Sequence, residues 1–355
     1  MNFPELPNDL ERFFSVDYQT ARERFIGLAD ELNATTYSHS VCAEQNLTID
    51  VAVIGRSDKP AVAISSGVHG VEGFFGSAIQ LALMFQLAKD ADFLTNCPCK
   101  FVLIHAVNPY GFQNLRRANK DNADLNRNFL VEPKTYKGSP EGYADLNSFL
   151  NPKSSPRFDF FLVRALWKIF RVGMYKLTAS IAKGQYDFPL GLFFGGSKPS
   201  KSHQVIEKEM KNWFGDVDRI FLLDFHTGLG KHGTYKIFPC GTEDISWYRK
   251  HFHSKVGTSP YEVQGDFATW FKNQNLAKSV RSVLVEFGTH HIVRVLSALR
   301  NENRFHHFSK NGSNNDAAKQ ELLECFCPKS TQWRQSSVKQ GLAIISQAIE
   351  AIAAE

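Results

Sequence analysis

Residues 61–73 read AVAISSGVHGVEG, and this stretch decides the fold. Its first six residues form a short strand that runs into Gly67, and from Gly73 to about Leu87 the pattern is helical. Working outward, residues 47–55 (LTIDVAVIG) alternate and then become continuously apolar, as a strand does. Ser57-Asp58-Lys59-Pro60 between the two is turn chemistry. Residues 17–33 read as a helix, with Phe25, Ile26, Leu28, Ala29 and Leu32 at near-helical spacing. Residues 101–107 (FVLIHAV) are a buried strand ended by Asn108-Pro109-Tyr110-Gly111. Residues 219–225 (RIFLLDF) and 280–287 (VRSVLVEF) add two more apolar strands. Such runs alternating with helices predict an α/β fold, with a mixed, largely parallel central sheet flanked by helices.

The chain has 355 residues, of which 43% are hydrophobic and 22% charged, so it is not a mainly disordered chain. We expect one domain over 1–355, since a large α/β sheet can hold this length. The formal charge of +5 is spread along the chain and too mild for a nucleic-acid binder. No charge-free apolar run approaches the roughly 18 residues of a membrane helix, so no stable membrane insertion is expected. The first residues carry no basic and apolar leader pattern, and a cytoplasmic location is expected. Cys42, Cys97, Cys99, Cys240, Cys325 and Cys327 are too sparse for a disulfide scaffold. The two C-x-C pairs are closer than zinc spacing favours and read as thiols.

Residues 131–200 break the rhythm and are expected to form an insertion or cap. Pro and Ser cluster in 149–156, and a helix is predicted over 159–182. On it Phe161, Leu162, Ala165, Leu166, Ile169, Phe170, Met174 and Leu177 make an apolar stripe, and Arg164, Lys168 and Arg171 share the other face. The expected arrangement packs the stripe on the body with the basic face in water. A membrane-surface helix is the alternative.

Four segments carry chemistry. In SSGVHGVEG (65–73), His69 and Glu72 lie three residues apart just past a strand, where a loop can turn imidazole and carboxylate to one point. In DFHTG (224–228), His226 lies at a strand end, and Asp224 shares its side of the strand and can orient it. In LVEFGT (284–289), Glu286 is a carboxylate near the end of an apolar strand, which asks for a cation or a catalytic role. In RRANKDNADLNRNF (116–129), Arg116, Arg117, Arg127, Asn119, Asn126 and Asn128 form a dense donor set suited to a carboxylate or a developing oxyanion.

In their order, these segments resemble the zinc carboxypeptidase (M14-type) superfamily, which includes the succinylglutamate desuccinylase and aspartoacylase branch. GQYDFPLGLFFGG at 184–196 and HTGLG at 226–230 look like its DUF2817 branch. The resemblance implies a zinc carboxypeptidase-like fold and one Zn²⁺ per chain, held by His69, Glu72 and His226. It implies Glu286 as general base and Arg117 as the oxyanion-stabilising arginine, with Arg116 the alternative. Asn126 and Arg127 match the pair that holds a substrate carboxylate, and Asp124 matches a residue that orients the first zinc histidine. For the family's pocket tyrosine, Tyr261 and Tyr248 are candidates. A second metal through His290-His291 or His306-His307 is the less favoured reading. The expected activity is zinc-dependent hydrolysis of an amide bond in a small peptide. The alternatives are an N-acyl amino acid deacylase, whose substrate is an acylated amino acid, and an inactive metal-binding module.

Overall fold

The computed structural model describes residues 7–155, 159–241, 245–258, 263–309 and 316–355. Seven strands form one sheet: β1 (Thr35–Cys42), β2 (Leu47–Ile54), β3 (Ala61–Ser65), β4 (Lys100–His105), β5 (Arg219–Thr227), β6 (Tyr235–Pro239) and β7 (Ser279–Phe287). Their order is β1-β2-β4-β3-β5-β7-β6. The central four, β4, β3, β5 and β7, are parallel. At one edge β2 and β1 add antiparallel, and at the other β6 does. This is the mixed, largely parallel α/β sheet that the sequence predicts.

The helices among the described residues are α1 (Tyr18–Glu31), α2 (Gly73–Lys89), α3 (Ala91–Asn96), α4 (Pro109–Gln113), α5 (Tyr143–Leu150), α6 (Phe161–Val172), α7 (Met174–Ala182), α8 (Lys201–Phe214), α9 (Ile245–Phe252), α10 (Phe267–Lys272), α11 (Ile292–Phe308), α12 (Asp316–Phe326) and α13 (Thr331–Ala353). Side chains alternate across each strand, so one set of the central strands' residues meets α1, α2 and α13: Val62, Ile64, Leu103, Leu223 and Val285. The other set, Ala61, Ala63, Val102, Ile104 and Leu222, meets α8 and α10. Both faces are covered, which is why these strands read as unbroken apolar runs.

Helix α2 is apolar on every side because it is enclosed. With the turn before it, Gly70–Lys89 does have the length and apolarity of a membrane span, contrary to the composition-based expectation, but 89% of that window is buried in the fold. The edge strands β1 and β6 escape the sequence reading, since TTYSHSVC is mostly polar and YKIFP is short.

The helix predicted over 159–182 is two helices. Gly173, at φ +85°, ends α6 and begins α7, a conformation that glycine adopts without a Cβ clash. The expected packing also changes. Phe161, Ala165 and Leu177 are buried, but Leu162, Leu166 and Phe170 are 60%, 62% and 89% exposed. The apolar residues of α6 therefore occupy two faces, and one of them stands in solvent.

His105, at the end of β4, is fully buried, stacks on Phe25 at 4.8 Å and shares a hydrogen bond with Ser77 Oγ. Burial pushes its pKa down from 6.5 to about 4. The unfolded chain therefore binds a proton first, and stability from this group is present above pH 6.5 and lost as pH falls towards 4. Acidifying from pH 7 to 5 should remove about 2 kcal/mol more stability from the wild type than from His105→Asn. Urea midpoints of both at each pH check this, and equal losses would refute it.

Candidate metal centre

The carboxyl ends of β3, β5 and β7 bring the candidate side chains together, beside the point where β4 lies on one side of β3 and the next strand in the chain, β5, on the other. Open α/β sheets bind ligands at such points. The β5–β7 register sets His226 beside Glu286, and the β3–β5 register sets Ser65 beside Asp224.

Past β3 the chain turns through Ser66–Glu72 and docks on the segment after β4. Gly70 N donates to Arg117 O (3.2 Å) and Val71 N to Arg116 O (2.8 Å). The approach is so close that a Cβ on Gly70 would lie 2.1 Å from the carbonyl carbon of Gly111. This contact sets where His69 and Glu72 stand.

His69, Glu72 and His226 are all buried, and their ligand atoms lie within 4.8 Å of one another. The His69 and His226 Nδ1 atoms are 3.2 Å apart. Glu72 sits between them, with Oε1 2.8 Å from His69 Nδ1 and Oε2 3.1 Å from His226 Nδ1. Four ligands about 2.0–2.1 Å from a tetrahedral zinc stand roughly 3.3 Å apart, so this donor set fits the ion in kind and in spacing.

Each imidazole is backed on its far nitrogen by a carboxylate. His226 Nε2 is 2.6 Å from Asp224 Oδ2, and His69 Nε2 is 3.2 Å from Asp124 Oδ1. Asp224 is fixed in turn by Ser65 Oγ at 2.6 Å. A carboxylate at Nε2 favours the tautomer that leaves Nδ1 free to bind a metal. The Thr227 backbone N–H donates to Glu72 Oε2 at 3.0 Å. Ser65 and this amide are the supporting groups that sequence reasoning missed. The only signal for Ser65 was its strand-end position in line with Asp224.

The electrostatics are those of a dense buried network. Burial alone would raise the Glu72 carboxyl, but the His69 and His226 rings outweigh it and hold it well below the usual range. Burial likewise opposes ionisation of Asp124, and Arg117 with His69 overrides it. Glu286 goes the other way: burial and the neighbouring Glu72 push it up to about 8. Its Oε1 accepts from Leu229 N at 2.8 Å.

A family model described as "Protein of unknown function (DUF2817)" matches residues 14–340. The chain belongs to the DUF2817 family. No curated protein matches it significantly by sequence. Solved structures similar to this DUF2817 chain include carboxypeptidase A from Helicoverpa armigera, 14% identical, covering 96% of this chain and 75% of that one, with a TM-score of 0.49. A metallo-carboxypeptidase from Burkholderia cenocepacia is 13% identical, covering 91% and 69%, at 0.43. The murein-tripeptide amidase MpaA from Escherichia coli O157 is 15% identical, covering 86% and 98%, at 0.39.

Of the two adjacent arginines, the structure brings Arg117 to the cluster. Its Nε holds Asp124 Oδ2 at 2.8 Å, Nη1 lies 3.6 Å from Glu72 and Nη2 2.6 Å from His69 Nε2. Arg116 turns away into the interior, where it pairs with Glu302 at 2.7 Å and Asn122 at 3.0 Å. That pairing turns it away from the oxyanion-stabilising place for which it was the alternative. Asn126 Oδ1 accepts from Phe267 N, and Arg127 Nε and Nη1 hold the carbonyls of Ala182 and Asn126.

Tyr248 is also out of place as a pocket tyrosine, being fully buried in the main core against Phe221 and Trp247. Tyr261 lies outside the described residues. His290 pairs with Glu324, His291 caps α11, and His306 meets His307 edge-on near Arg116. Among the described residues, His69, Glu72 and His226 are the one group of three or more such side chains placed to hold an ion. All six cysteines are buried thiols, with Cys97 and Cys99 Sγ atoms 3.7 Å apart.

The Gly70 contact gives a direct check. Gly70→Ala should destabilise by about 1–3 kcal/mol through overpacking and lower the metal retained per chain. Gly27→Ala, on α1 with nothing within 4 Å, should leave metal unchanged and stabilise by about 0.5–1 kcal/mol. Denaturant midpoints and elemental analysis measure both, and an unaltered Gly70→Ala would show that the loop does not depend on this approach.

Proposed function

We propose that this protein is a zinc-dependent hydrolase that cleaves an amide bond in a peptide-like substrate, in the manner of a carboxypeptidase. One observation carries the reading: two imidazoles and a carboxylate converge, each imidazole is oriented by its own carboxylate, and Glu286 stands one strand away in register with His226. A zinc ion held by His69, Glu72 and His226 would supply Lewis acidity there, making water acidic near neutral pH and polarising the scissile carbonyl.

The chain's own residues do the rest. Glu286 takes the proton of the attacking water and returns it to the leaving nitrogen. Its raised pKa suits a group that must hold a proton between two steps, and with a dication bound nearby it would favour the carboxylate needed at the start. Arg117, clamped by Asp124, donates to the oxyanion. When His69 Nδ1 is given to a metal, its Nε2 carries hydrogen, and Arg117 Nη2 has no acceptor on that ring. Asn126 and Arg127 are proposed to receive the substrate's carboxylate. Their bonds to the main chain hold both side chains in fixed positions, which aligns a bound amide.

Zinc-loaded wild type should contain one zinc per chain and His69→Ala substantially less, by elemental analysis. Equal content would remove the ligand assignment. Glu286→Gln should retain zinc and lose roughly 10²–10⁴-fold in kcat on a responsive free-carboxylate amide substrate. Near-normal turnover in that variant would overturn the base assignment, and no turnover of any amide by zinc-loaded wild type would overturn the hydrolase reading.

A further inference from the structure

Most of the exposed large apolar side chains among the described residues gather at α6. Leu162, Val163, Leu166, Trp167 and Phe170 are between 55% and 89% exposed. Isolated exposed apolar residues are ordinary, but a contiguous set on one helix marks an interaction surface. At 3.6 residues per turn, Leu162, Leu166 and Phe170 fall on one line, with Val163 and Trp167 beside it. Phe161 and Ala165 point the other way and anchor the helix, Phe161 stacking on Phe149 at 5.2 Å. The helix is fixed by one face and bare on the opposite one.

Charge says what the bare face meets. Arg164, Lys168 and Arg171 run along the boundary between the two faces, and residues 160–183 contain five Lys or Arg and no Asp or Glu. Asp159, the nearest acid in sequence, is taken up by Arg300 and Arg304. Arg171 lies over the Trp167 ring at 4.9 Å, so cation and interfacial aromatic are adjacent. We propose that α6 docks the protein on an anionic lipid bilayer, its exposed apolar face in the acyl boundary and Arg164, Lys168 and Arg171 among the headgroups.

The physics favours this occupant. A basic stripe beside a Trp/Phe/Leu face is the make-up of helices that lie in the membrane interface. Twelve residues span about 18 Å, too short to cross a core of about 30 Å, so the helix lies flat and the body stays in water. A second copy is a poorer match, because a two-fold contact sets the same cations against one another with no acid in the segment to answer them.

The test uses the full chain in vesicle flotation, with phosphatidylcholine vesicles and with vesicles made partly of phosphatidylglycerol. Wild type should bind the anionic vesicles, weakly or not at all the neutral ones, and less at high salt. Arg171→Gln should weaken binding about fivefold, the effect of one surface charge. Phe170→Glu should weaken it more than tenfold, with circular dichroism and denaturant midpoint unchanged because Phe170 is 89% exposed. Anionic vesicles should shift the tryptophan emission of wild type to the blue, and Trp167→Phe should lose that shift. No binding by wild type, or binding undiminished in Phe170→Glu, overturns the proposal. So does a wild-type dimer that Phe170→Glu dissociates without any vesicle binding, which would give the face to a second copy.

Discussion

Glu72 puts a negative charge at the end of an apolar sheet, and the neighbourhood is built to accept it. Its carboxylate is 1% exposed and meets two imidazoles and the Thr227 amide. Those imidazoles need acceptors of their own, which brings in Asp124 and Asp224. The two aspartates then need donors, which brings in Arg117 and Ser65. A buried charge is tolerable only when such a chain of partners is complete. The centre is therefore a closed network whose ligand atoms lie within 4.8 Å of one another, and removing a member leaves another buried group without a partner.

Local spacing explains what could be read from sequence. The strands 61–65, 219–227 and 279–287 are covered on both faces, so their apolar runs were visible without any partner in view. His69, Glu72, Asp224, His226 and Glu286 sit within a few residues of those strand ends, and their convergence follows once the strands are taken as parallel neighbours. The choice between Arg116 and Arg117 was not legible in the same way. Adjacent residues in a loop point in different directions, and only Glu302, distant in sequence, shows that Arg116 turns inward.

The segment 131–200 was the least legible for a related reason. Periodicity reports that a face is apolar, not whether anything covers it. On α6 the apolar arc is wider than the body it packs on, so Phe161 and Leu162, neighbours in sequence, have opposite environments. The break at Gly173 is equally hidden, because a glycine inside a helical pattern is read either as tolerated or as an end. Strand β1 failed by the opposite route: an edge strand with a polar outer face carries little hydrophobic signal.

The strand order has a consequence for how this protein is made. His69 follows the third strand in the chain and His226 closes the fifth, while Glu286 waits on the seventh, which lies directly beside the fifth. A growing chain thus carries the first imidazole and its carboxylate long before their partners exist. Until residue 286 has been synthesised and β7 has added alongside β5, the groups gathered at the sheet's end remain incomplete. A chain that stops short of β7 therefore holds His69, Glu72 and His226 without the carboxylate that stands beside His226 in the complete sheet.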